Sequence, residues 1–526
     1  MLRMLGDDST SPGYGTVPSG PKRARVLLIS PQLRVHKVQL PRFQPSLGLG
    51  YMAAVLEQHG HAVQILDAAI EGRTTVIEEG EGLAIIGLTD TEIKARIAEF
   101  GPDVVGISSL FSSQAGRAFH IADLVKELDR SIVVVLGGIH ASEMYTKVME
   151  SQPSVDYILR GEGDFGLDAF VTTLVNGGDV RKLPGVVWRE DGGIRATTPP
   201  PQIPDINVLP VPAWHLMRME SYFQANLFHS PYSETGRVGS IMTSRGCPEH
   251  CFFCSSAEYF GHRFRPRNAA NVIDEITHLK ETYGVNEIQI EDDVFTTNPQ
   301  RVHEICDGIK HLKLRLCTPN GIRADYPSGT ERKREMFRAM KEAGFYQVTF
   351  GVESGDQWVI DNLVKKRLDL SQIGPAIQIA QEEGLLVHTF FILGFPTETR
   401  QQKLNTIKYA EELKADSYSF AIASPLPGTV MWKMCEDLNL LADGFDPTQI
   451  VFTKTNIKQV DMSGEELFDL FLETNRRLNE EAKHRSTERR KLYANLMQHA
   501  SALGSRPKHT VMGTGGGRTL IDGNAS

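Results

Sequence analysis

Three cysteines stand close together in the middle of the chain, spaced as Cys-x3-Cys-x2-Cys. Thiolates are soft ligands, and three of them at this spacing can reach one inorganic cluster. Zinc sites and ferredoxin-type clusters usually have four protein ligands, so three ligands leave one iron position open to an exogenous molecule. The run therefore predicts an iron–sulfur cluster that binds a substrate or cofactor directly. Its ligands would be Cys247, Cys251 and Cys254.

The elements around this run alternate between strand and helix patterns. Six βα units within residues 239–440 predict a partial barrel with an open side, and a helical part is predicted for residues 441–500. Chemistry in such barrels lies at the carboxyl ends of the strands, and the cysteine run follows the first strand directly. The strand candidates are Ser240–Thr243, Glu287–Ile290, Lys313–Cys317, Tyr346–Phe350, Val387–Phe391 and Tyr418–Ala421.

An earlier alternation fills residues 23–180. Short apolar runs such as Val26–Ser30 and Asp103–Ser108 alternate with helical patterns such as Leu47–His59, which predicts an α/β domain with a doubly wound, Rossmann-like parallel sheet. Residues 181–238 are rich in proline and glycine in their first half and are predicted to form a connector. The two ends of the chain, 1–22 and 501–526, are predicted to be disordered.

Bulk composition excludes several classes of function. The net charge of -9 provides no basic surplus for binding a nucleic acid or an anionic membrane. No stretch approaches the roughly 18 apolar residues that span a bilayer. Six cysteines in 526 residues, three of them in one cluster, do not form a disulfide framework. A reducing cytoplasm is the expected location.

The cysteine run could also be a zinc knuckle or a set of redox thiols. In its barrel context, however, it resembles the signature of the radical S-adenosylmethionine (SAM) enzymes. The resemblance implies a [4Fe–4S] cluster on the three cysteines, with SAM chelating the fourth iron and being cleaved reductively to a 5′-deoxyadenosyl radical. Phe253, an aromatic residue directly before the third cysteine, fits the same family.

Residues at the other strand ends resemble the SAM contacts of this family. An acidic group follows the second strand, an arginine the third, the segment Gly351–Gly355 the fourth and a glycine turn the fifth. An acidic cluster at a strand end is often a helix cap instead, so each motif alone is a weak indication. The implied SAM-binding residues are Phe253, Glu291, Asp292, Arg323, Glu353, Ser354 and Gly394.

The N-terminal domain has glycines at successive strand ends, which open a crevice in a doubly wound sheet. It resembles the cobalamin-binding domain fused to many radical SAM enzymes. The chain has no Asp-x-His-x-x-Gly motif, so cobalamin would be held without a protein histidine on cobalt; the alternative is a Rossmann-like fold that has lost its cofactor. The implied cobalamin-binding residues are Ser108, Ser109, Leu110, Gly137, Gly138, His140, Gly161 and Glu162.

Together these features resemble the class B, cobalamin-dependent radical SAM methyltransferases. Stretches such as Gly101–Ser109 and Tyr346–Phe350 are similar to the methyltransferases of phosphonate and phosphinate antibiotic pathways, among them the fosfomycin and phosphinothricin enzymes. The resemblance implies methyl transfer through methylcobalamin to an unactivated carbon or a phosphinate phosphorus of a small molecule. It also implies a reductase partner such as flavodoxin or ferredoxin, and no residue is predicted to act in catalysis beyond the cluster ligands.

Two other functions stay open at this point. The same cofactors could serve an oxidative cyclisation or rearrangement without methyl transfer, or the chain could be a sensor or redox module without turnover. The sequence does not identify the methyl acceptor, the oligomeric state or the environment of the lower face of cobalt.

Overall fold

The structure is a computed structural model of the chain, and it describes residues 10–11, 14–16, 22–36, 39–80, 82–230, 233, 236–450, 454–485, 509–512 and 518–521. The chain divides into two compact units. The first contains the described residues up to Arg34 and the segment Pro45–Ser221. The second contains those of Val35–Gln44 and the chain from Tyr222 onward. The second unit therefore takes in a short N-terminal segment that sequence analysis assigned to the first domain.

The first unit is built on a seven-stranded sheet in the order β7-β6-β5-β4-β3-β1-β2. Strands β1 to β5 are parallel, and the last two are antiparallel. Strand β1 lies between β3 and β2, and it is apolar and buried on both faces, as expected for a parallel sheet covered by helices. The strands are β1 Arg25–Ser30, β2 Ala62–Asp67, β3 Val104–Ser108, β4 Val133–Gly137, β5 Tyr157–Leu159, β6 Val186–Glu190 and β7 Gly193–Ala196.

Helices connect these strands. The predicted helix at Leu47 begins there and ends at Gln58. The helix Asp90–Phe100 begins with a capping box between Thr89 and Glu92. The helices are α1 Leu47–Gln58, α2 Asp90–Phe100, α3 Ala115–Leu128, α4 Ile139–Glu143, α5 Tyr145–Ser151 and α6 Gly166–Val175, with one further turn at Ala68–Glu71. The predicted doubly wound domain is confirmed.

The segment predicted as a connector contains the hairpin β6–β7, which extends the first sheet past residue 180. Its turn is Asp191-Gly192, and both residues have positive φ, 50° and 74°. This is the two-residue turn that fits the twist of a hairpin, and Asp-Gly is among its preferred sequences. A separate three-stranded sheet joins Leu33–His36, Leu83–Ile86 and Val76–Gly80, and a two-stranded ribbon joins Thr10–Ser11 and Gly15–Thr16.

The second unit is built on six parallel strands that pair in chain order, which confirms the predicted partial barrel. The strands are β8 Val238–Ile241, β9 Glu287–Ile290, β10 Arg315–Cys317, β11 Phe345–Glu353, β12 Leu386–Leu393 and β13 Ser417–Ile422. The helices are α7 Ser255–Phe260, α8 Ala269–Tyr283, α9 Pro299–Ile309, α10 Thr330–Ala343, α11 Ile373–Glu382, α12 Arg400–Leu413, α13 Val430–Asp437 and α14 Gly464–Arg485, with shorter helices at Met219–Ala225 and Gln357–Val359.

Helix α14 lies along the last strand of this sheet. The Asn475 side chain accepts a hydrogen bond from the Phe420 backbone N–H (3.1 Å), and the Asn479 amide bonds both the N–H and the carbonyl of Tyr418 (3.1 and 2.9 Å). Both asparagines are buried, so these bonds satisfy backbone groups that no further strand of the described residues reaches.

Two short strands, His509–Met512 and Arg518–Ile521, lie within the segment predicted as a disordered tail. They pair with each other, and the second pairs with Gln39–Leu40. The rest of 501–526 and most of 1–22 lie outside the described residues. Among the helices that the structure describes, none is long and apolar enough to cross a membrane.

Candidate functional site

The loop that carries the three cysteines is held by a short ribbon after β8. Ser244–Arg245 pairs antiparallel with Arg265–Pro266, and the Cys247 backbone N–H donates to the Gly261 carbonyl (3.2 Å). Gly246 has φ of +81°, and a Cβ there would lie 2.3 Å from a backbone oxygen of the returning chain. Only glycine fits this turn.

Burial is the main influence on the three thiols. It raises the pKa of Cys247 to about 11 and that of Cys251 to about 12, and it also raises the pKa of Cys254. Two kinds of group act to lower these pKa values. They are the Lys366 ammonium, for Cys247 and Cys251, and backbone N–H groups that donate to the sulfurs of Cys247 and Cys254. The cysteines form no disulfide. These are partly desolvated thiols with positive charge and N–H donors around them.

This donor set fits an iron–sulfur cluster. Among the described residues, no group of three His, Cys, Asp or Glu side chains is close enough to hold one metal ion. A cubane cluster does not require ligands that converge on one ion, since each thiolate binds its own iron. Soft sulfur ligands, partial burial and N–H donors are the surroundings in which such clusters are found.

Lys366 is a buried cation between the cysteine loop and the end of β11. Its ammonium donates to the Gly351 carbonyl (2.5 Å) and to the Glu353 carboxylate (2.8 Å). Burial acts to lower its pKa, but Glu353 and Cys251 more than offset that effect, so the pKa is raised and the side chain is charged. Glu353 itself has φ of +70°, an uncommon conformation that the surrounding contacts hold in place.

Replacing Lys366 with methionine is expected to destabilise the protein by about 3 kcal/mol, because the Glu353 carboxylate is left buried without its partner. Adding Glu353→Gln to this variant should recover most of the loss. Urea unfolding followed by tryptophan fluorescence measures both effects. Lys365→Met, at the exposed neighbouring position, is the matched control and should change stability by less than about 0.5 kcal/mol. Equal losses in the single and double variants would contradict the pairing.

Two predicted SAM contacts already have protein partners. The carboxylate of Asp292 accepts hydrogen bonds from the Thr243 backbone and hydroxyl and from the Ser244 hydroxyl. The guanidinium of Arg323 forms ion pairs with Glu249 (2.8 Å) and Asp325 (2.5 Å). These contacts fix the cysteine loop to the ends of β9 and β10, and any contact of the two residues with SAM stays a prediction.

Glu291 and Ser354 are also engaged. The Glu291 carboxylate lies 2.8 Å from His229 and its backbone carbonyl accepts from the Asn320 amide (2.9 Å). The Ser354 hydroxyl lies 2.9 Å from that of Thr406 on α12. Both residues therefore tie a strand end to neighbouring segments.

Aromatic rings surround the turn after β12. Phe395 packs against Phe252 and Phe253 of the cysteine loop, with ring centroids 5.5 and 5.8 Å away. The preceding Gly394 has φ of +84°. The predicted aromatic at position 253 and the predicted glycine turn thus belong to one cluster of rings next to the cysteines.

A buried carboxylate, Glu398, closes this turn. It accepts hydrogen bonds from the backbone N–H groups of Gly394 (2.6 Å) and Phe395 (3.1 Å). Burial raises its pKa to about 7, although Lys403 and the two N–H donors oppose that shift. Because the folded-state pKa lies above the ordinary value of 4.5, stability from this group is complete below pH 4.5 and is lost as the pH rises through 7.

Glu398→Gln is expected to remove this pH dependence while keeping an acceptor for the two N–H groups. Relative to the variant, the wild type should lose on the order of 2 kcal/mol of stability between pH 5 and pH 8. Unfolding by urea at each pH measures the difference. A gap between the two proteins that stays constant across this range would contradict the assignment to Glu398.

In the first unit, the predicted cobalamin residues gather at the carboxyl ends of β3, β4 and β5. Ser109 donates its backbone N–H to the Gly137 carbonyl (2.7 Å) and accepts from the His140 N–H (3.1 Å). His140 is buried, and its ring lies 2.9 Å from the Ser112 hydroxyl. Ser108 and Gly137 are paired at the ends of their strands, whereas Leu110 is 39% exposed.

The third strand end contributes Gly161 and Glu162. The Gly161 N–H donates to the Ser142 hydroxyl (3.3 Å), and the Glu162 carboxylate accepts from the Ile203 N–H (2.8 Å). Glu162 therefore anchors the chain that follows the sheet.

Two observations test whether this sheet end fits a large cofactor. Gly138 has φ of +106°, and a Cβ there would lie 2.8 Å from the Ser109 carbonyl group. The backbone at this point therefore has no room for a side chain. The Ser109 side chain is 1% exposed, and its hydroxyl has no hydrogen-bond partner among the described residues. A bare backbone and a buried hydroxyl without a partner fit a ligand that enters the crevice.

Sequence analysis missed three residues of these sites. Lys366 and Glu398 are buried charged residues, and Glu249 pairs with Arg323 from within the cysteine loop. A charged residue inside a short motif was the available signal for Glu249 and Glu398. Lys366 stands in the run Lys365-Lys366-Arg367, which reads as ordinary surface charge.

Comparisons with known proteins agree with this geometry. Residues 37–171 match the B12 binding domain, and residues 241–410 match the radical SAM superfamily. Cytidylyl-2-hydroxyethylphosphonate methyltransferase from Streptomyces wedmorensis is 33% identical over 498 residues, 88% of this chain and 91% of the relative. The anaerobic magnesium-protoporphyrin IX monomethyl ester cyclase of Rubrivivax gelatinosus is 27% identical, over 86% of this chain and 77% of the relative.

A solved structure shares the fold. The radical SAM methyltransferase TsrM from Kitasatospora setae, solved with cobalamin and a [4Fe–4S] cluster bound, superposes with a TM-score of 0.64 at 18% identity. The match covers 84% of this chain and 83% of that chain. This chain and that structure thus have the same fold over most of their lengths.

Proposed function

Because this chain belongs to the cobalamin-dependent radical SAM methyltransferases, an enzyme family that uses a [4Fe–4S] cluster, SAM and cobalamin, we propose that it methylates a phosphonate or phosphinate intermediate of small-molecule biosynthesis. The acceptor atom would be an unactivated carbon or a phosphinate phosphorus. The observation that carries the substrate class is the 33% identity over 91% of a cytidylyl-2-hydroxyethylphosphonate methyltransferase.

When bound, the cluster and SAM supply a carbon-centred radical, and cobalamin supplies the methyl group. Neither acceptor atom is a nucleophile that could attack the sulfonium of SAM directly, which is why both cofactors are needed. The protein contributes binding, orientation and exclusion of water.

We assign the cluster to Cys247, Cys251 and Cys254. The positive charge of Lys366 favours thiolates at two of these positions, and the rings of Phe253 and Phe395 pack against each other beside them. The bare backbone at Gly138 and the hydroxyl of Ser109 are assigned to cobalamin. No general base is needed for radical capture of a methyl group, so none is assigned.

The second candidate function is an oxidative cyclisation or rearrangement, which the similarity to a protoporphyrin cyclase favours. Its support is weaker, because the identity is lower and covers less of the relative. The two functions differ in product mass, since methyl transfer adds a CH2 unit and oxidative cyclisation removes two hydrogens.

The test is anaerobic reconstitution with iron, sulfide and cobalamin, reduction, and incubation with SAM carrying a ¹³C-labelled methyl group. The acceptors are a cytidylylated hydroxyethylphosphonate, the free phosphonate and a phosphinate. We expect a labelled product from one of them, and ¹³C–³¹P coupling distinguishes a methyl on phosphorus from one on carbon. Deoxyadenosine formation without any labelled product from the three acceptors would contradict the substrate class.

The proposal also includes a reductase such as flavodoxin or ferredoxin as the electron donor, and a location in the reducing cytoplasm. The unpaired state of all six cysteines is consistent with that location.

A further inference from the structure

The surface beside the cysteine loop contains a pocket of about 400 Å³, which we call the loop-side pocket. It lies within the second unit. Its lining combines apolar and charged side chains from the cysteine loop, from the segment after β11 and from the start of α13. The lining residues are His250, Phe252, Asp361, Lys365, Arg367 and Val430.

Hydrogen bonds connect the cysteine loop to both other walls of this pocket. The Phe252 N–H donates to the Val364 carbonyl (3.1 Å), and the Phe252 carbonyl accepts from the Met431 N–H (2.8 Å). Phe252 stands between Cys251 and Cys254 in the sequence. The cysteine loop therefore forms one wall of the pocket, through a residue that is next to Cys251 in sequence.

One exposed apolar side chain lines the pocket, and another lies close in sequence to a lining residue. Val430 is 57% exposed, and Trp358, one turn before Asp361, is 53% exposed. Few other large apolar residues of the second unit are as exposed among those that the structure describes. Exposed apolar groups with a charged rim are typical of protein interaction sites.

The rim has local positive charge on an acidic protein. Lys365 and Arg367 are both exposed, and Asp361 is the acidic residue among the lining. Lys365 forms no ion pair within the described part of the chain, whereas Arg367 donates to the Pro248 carbonyl of the cysteine loop (3.0 Å) and forms an ion pair with Glu249 (3.4 Å). The whole chain has a net charge of -9, and Lys365 gives this rim an exposed positive charge that would attract an acidic partner.

We propose that the loop-side pocket is the docking surface for a small acidic protein that carries single electrons. The carrier would be oxidised by one electron and the [4Fe–4S] cluster reduced by one, with no bond formed or broken and no proton moved. The inference rests on the proposed function through the assignment of the cluster to the three cysteines. It adds the place of electron entry and the charge of the donor.

The test uses the full-length reconstituted protein and two variants that make the pocket acidic, Lys365→Glu and Val430→Glu. Position 430 is the first residue of α13, where an acidic side chain is favourable to the helix. The matched control is Lys313→Glu, an exposed lysine just before β10, at the opposite ends of the strands from the cysteine loop. Stopped-flow absorbance follows cluster reduction by reduced flavodoxin, at low and at high salt, and by dithionite.

We expect both pocket variants to be reduced by flavodoxin at least about tenfold more slowly at low salt, with the difference shrinking at high salt. Both pocket variants should be reduced by dithionite at the wild-type rate. The Lys313→Glu protein should be reduced by flavodoxin at the wild-type rate. Wild-type rates with flavodoxin in both pocket variants would overturn the proposal, and so would equal slowing with dithionite. A protein that assembles no reducible cluster would instead overturn the proposed function itself, so the two failures are distinguishable.

Discussion

The Cys251→Ala variant is expected to form no stable [4Fe–4S] cluster and to cleave SAM no faster than background. Cys251 is the central ligand of the run, and the three cysteines outside the run, Cys306, Cys317 and Cys435, are all buried. With two thiolates, more than one iron would lack a protein ligand. Iron and sulfide content, the visible absorption of the reconstituted protein and deoxyadenosine formation measure the loss.

Cys435→Ala is the matched control for this variant. It also removes one thiol, from the buried face of α13, and should keep full cluster content at a modest cost in stability. Cobalamin binding should survive in both proteins, because it is assigned to the first unit. A Cys251→Ala protein with wild-type cluster content and SAM cleavage would show that the cluster is ligated elsewhere.

The Gly138→Ala variant is expected to lose cobalamin, with at least a tenfold fall in the bound fraction, and to lose methyl transfer with it. The backbone at this position has φ of +106° and ψ of 176°, a region that is essentially restricted to glycine. The added Cβ would also lie 2.8 Å from backbone atoms of Ser109. The loop must move to relieve the contact, and the crevice changes shape.

Deoxyadenosine formation should persist in this variant, because the cysteine loop is in the other unit. Cobalamin absorbance after gel filtration, product mass and deoxyadenosine yield separate the three activities. Gly116→Ala in α3 is the control, since no atom lies within 4 Å of the added Cβ and alanine favours a helix. Full cobalamin binding by Gly138→Ala would remove this crevice from the cofactor site.

Much of the fold could be predicted because buried parallel strands are short, continuous apolar runs. The strand predicted at Val26–Ser30 is Arg25–Ser30, and the helix predicted at Leu47–His59 ends one residue earlier. The β6–β7 hairpin was missed because proline and glycine on both sides of it suggested a connector. The Asp191-Gly192 turn between two alternating segments was the signal that was overlooked.

The candidate site, like the fold, could be predicted from the sequence only in part. The cysteine run is local in sequence, so spacing alone identifies it. Lys366 is different, since it is buried only because the chain turns sharply on both sides of it, with φ of 61° at Lys365 and 53° at Arg367. Arg323 was predicted to bind SAM because of its charge, but its side chain pairs with Asp325, two residues away, and with Glu249 of the cysteine loop, which is far away in sequence. Long-range pairing of charges is invisible to a motif.

The two asparagines of α14 have a consequence for how the protein behaves in concentrated solution. A partial barrel has an outer strand with backbone groups that could pair with a strand of another molecule, which is a route to aggregation. Asn475 and Asn479 form hydrogen bonds with backbone groups of this kind on β13, so these groups are not available to a strand of another molecule. In this open barrel, side-chain amides thus take a place on β13 that a further strand would take in a closed barrel.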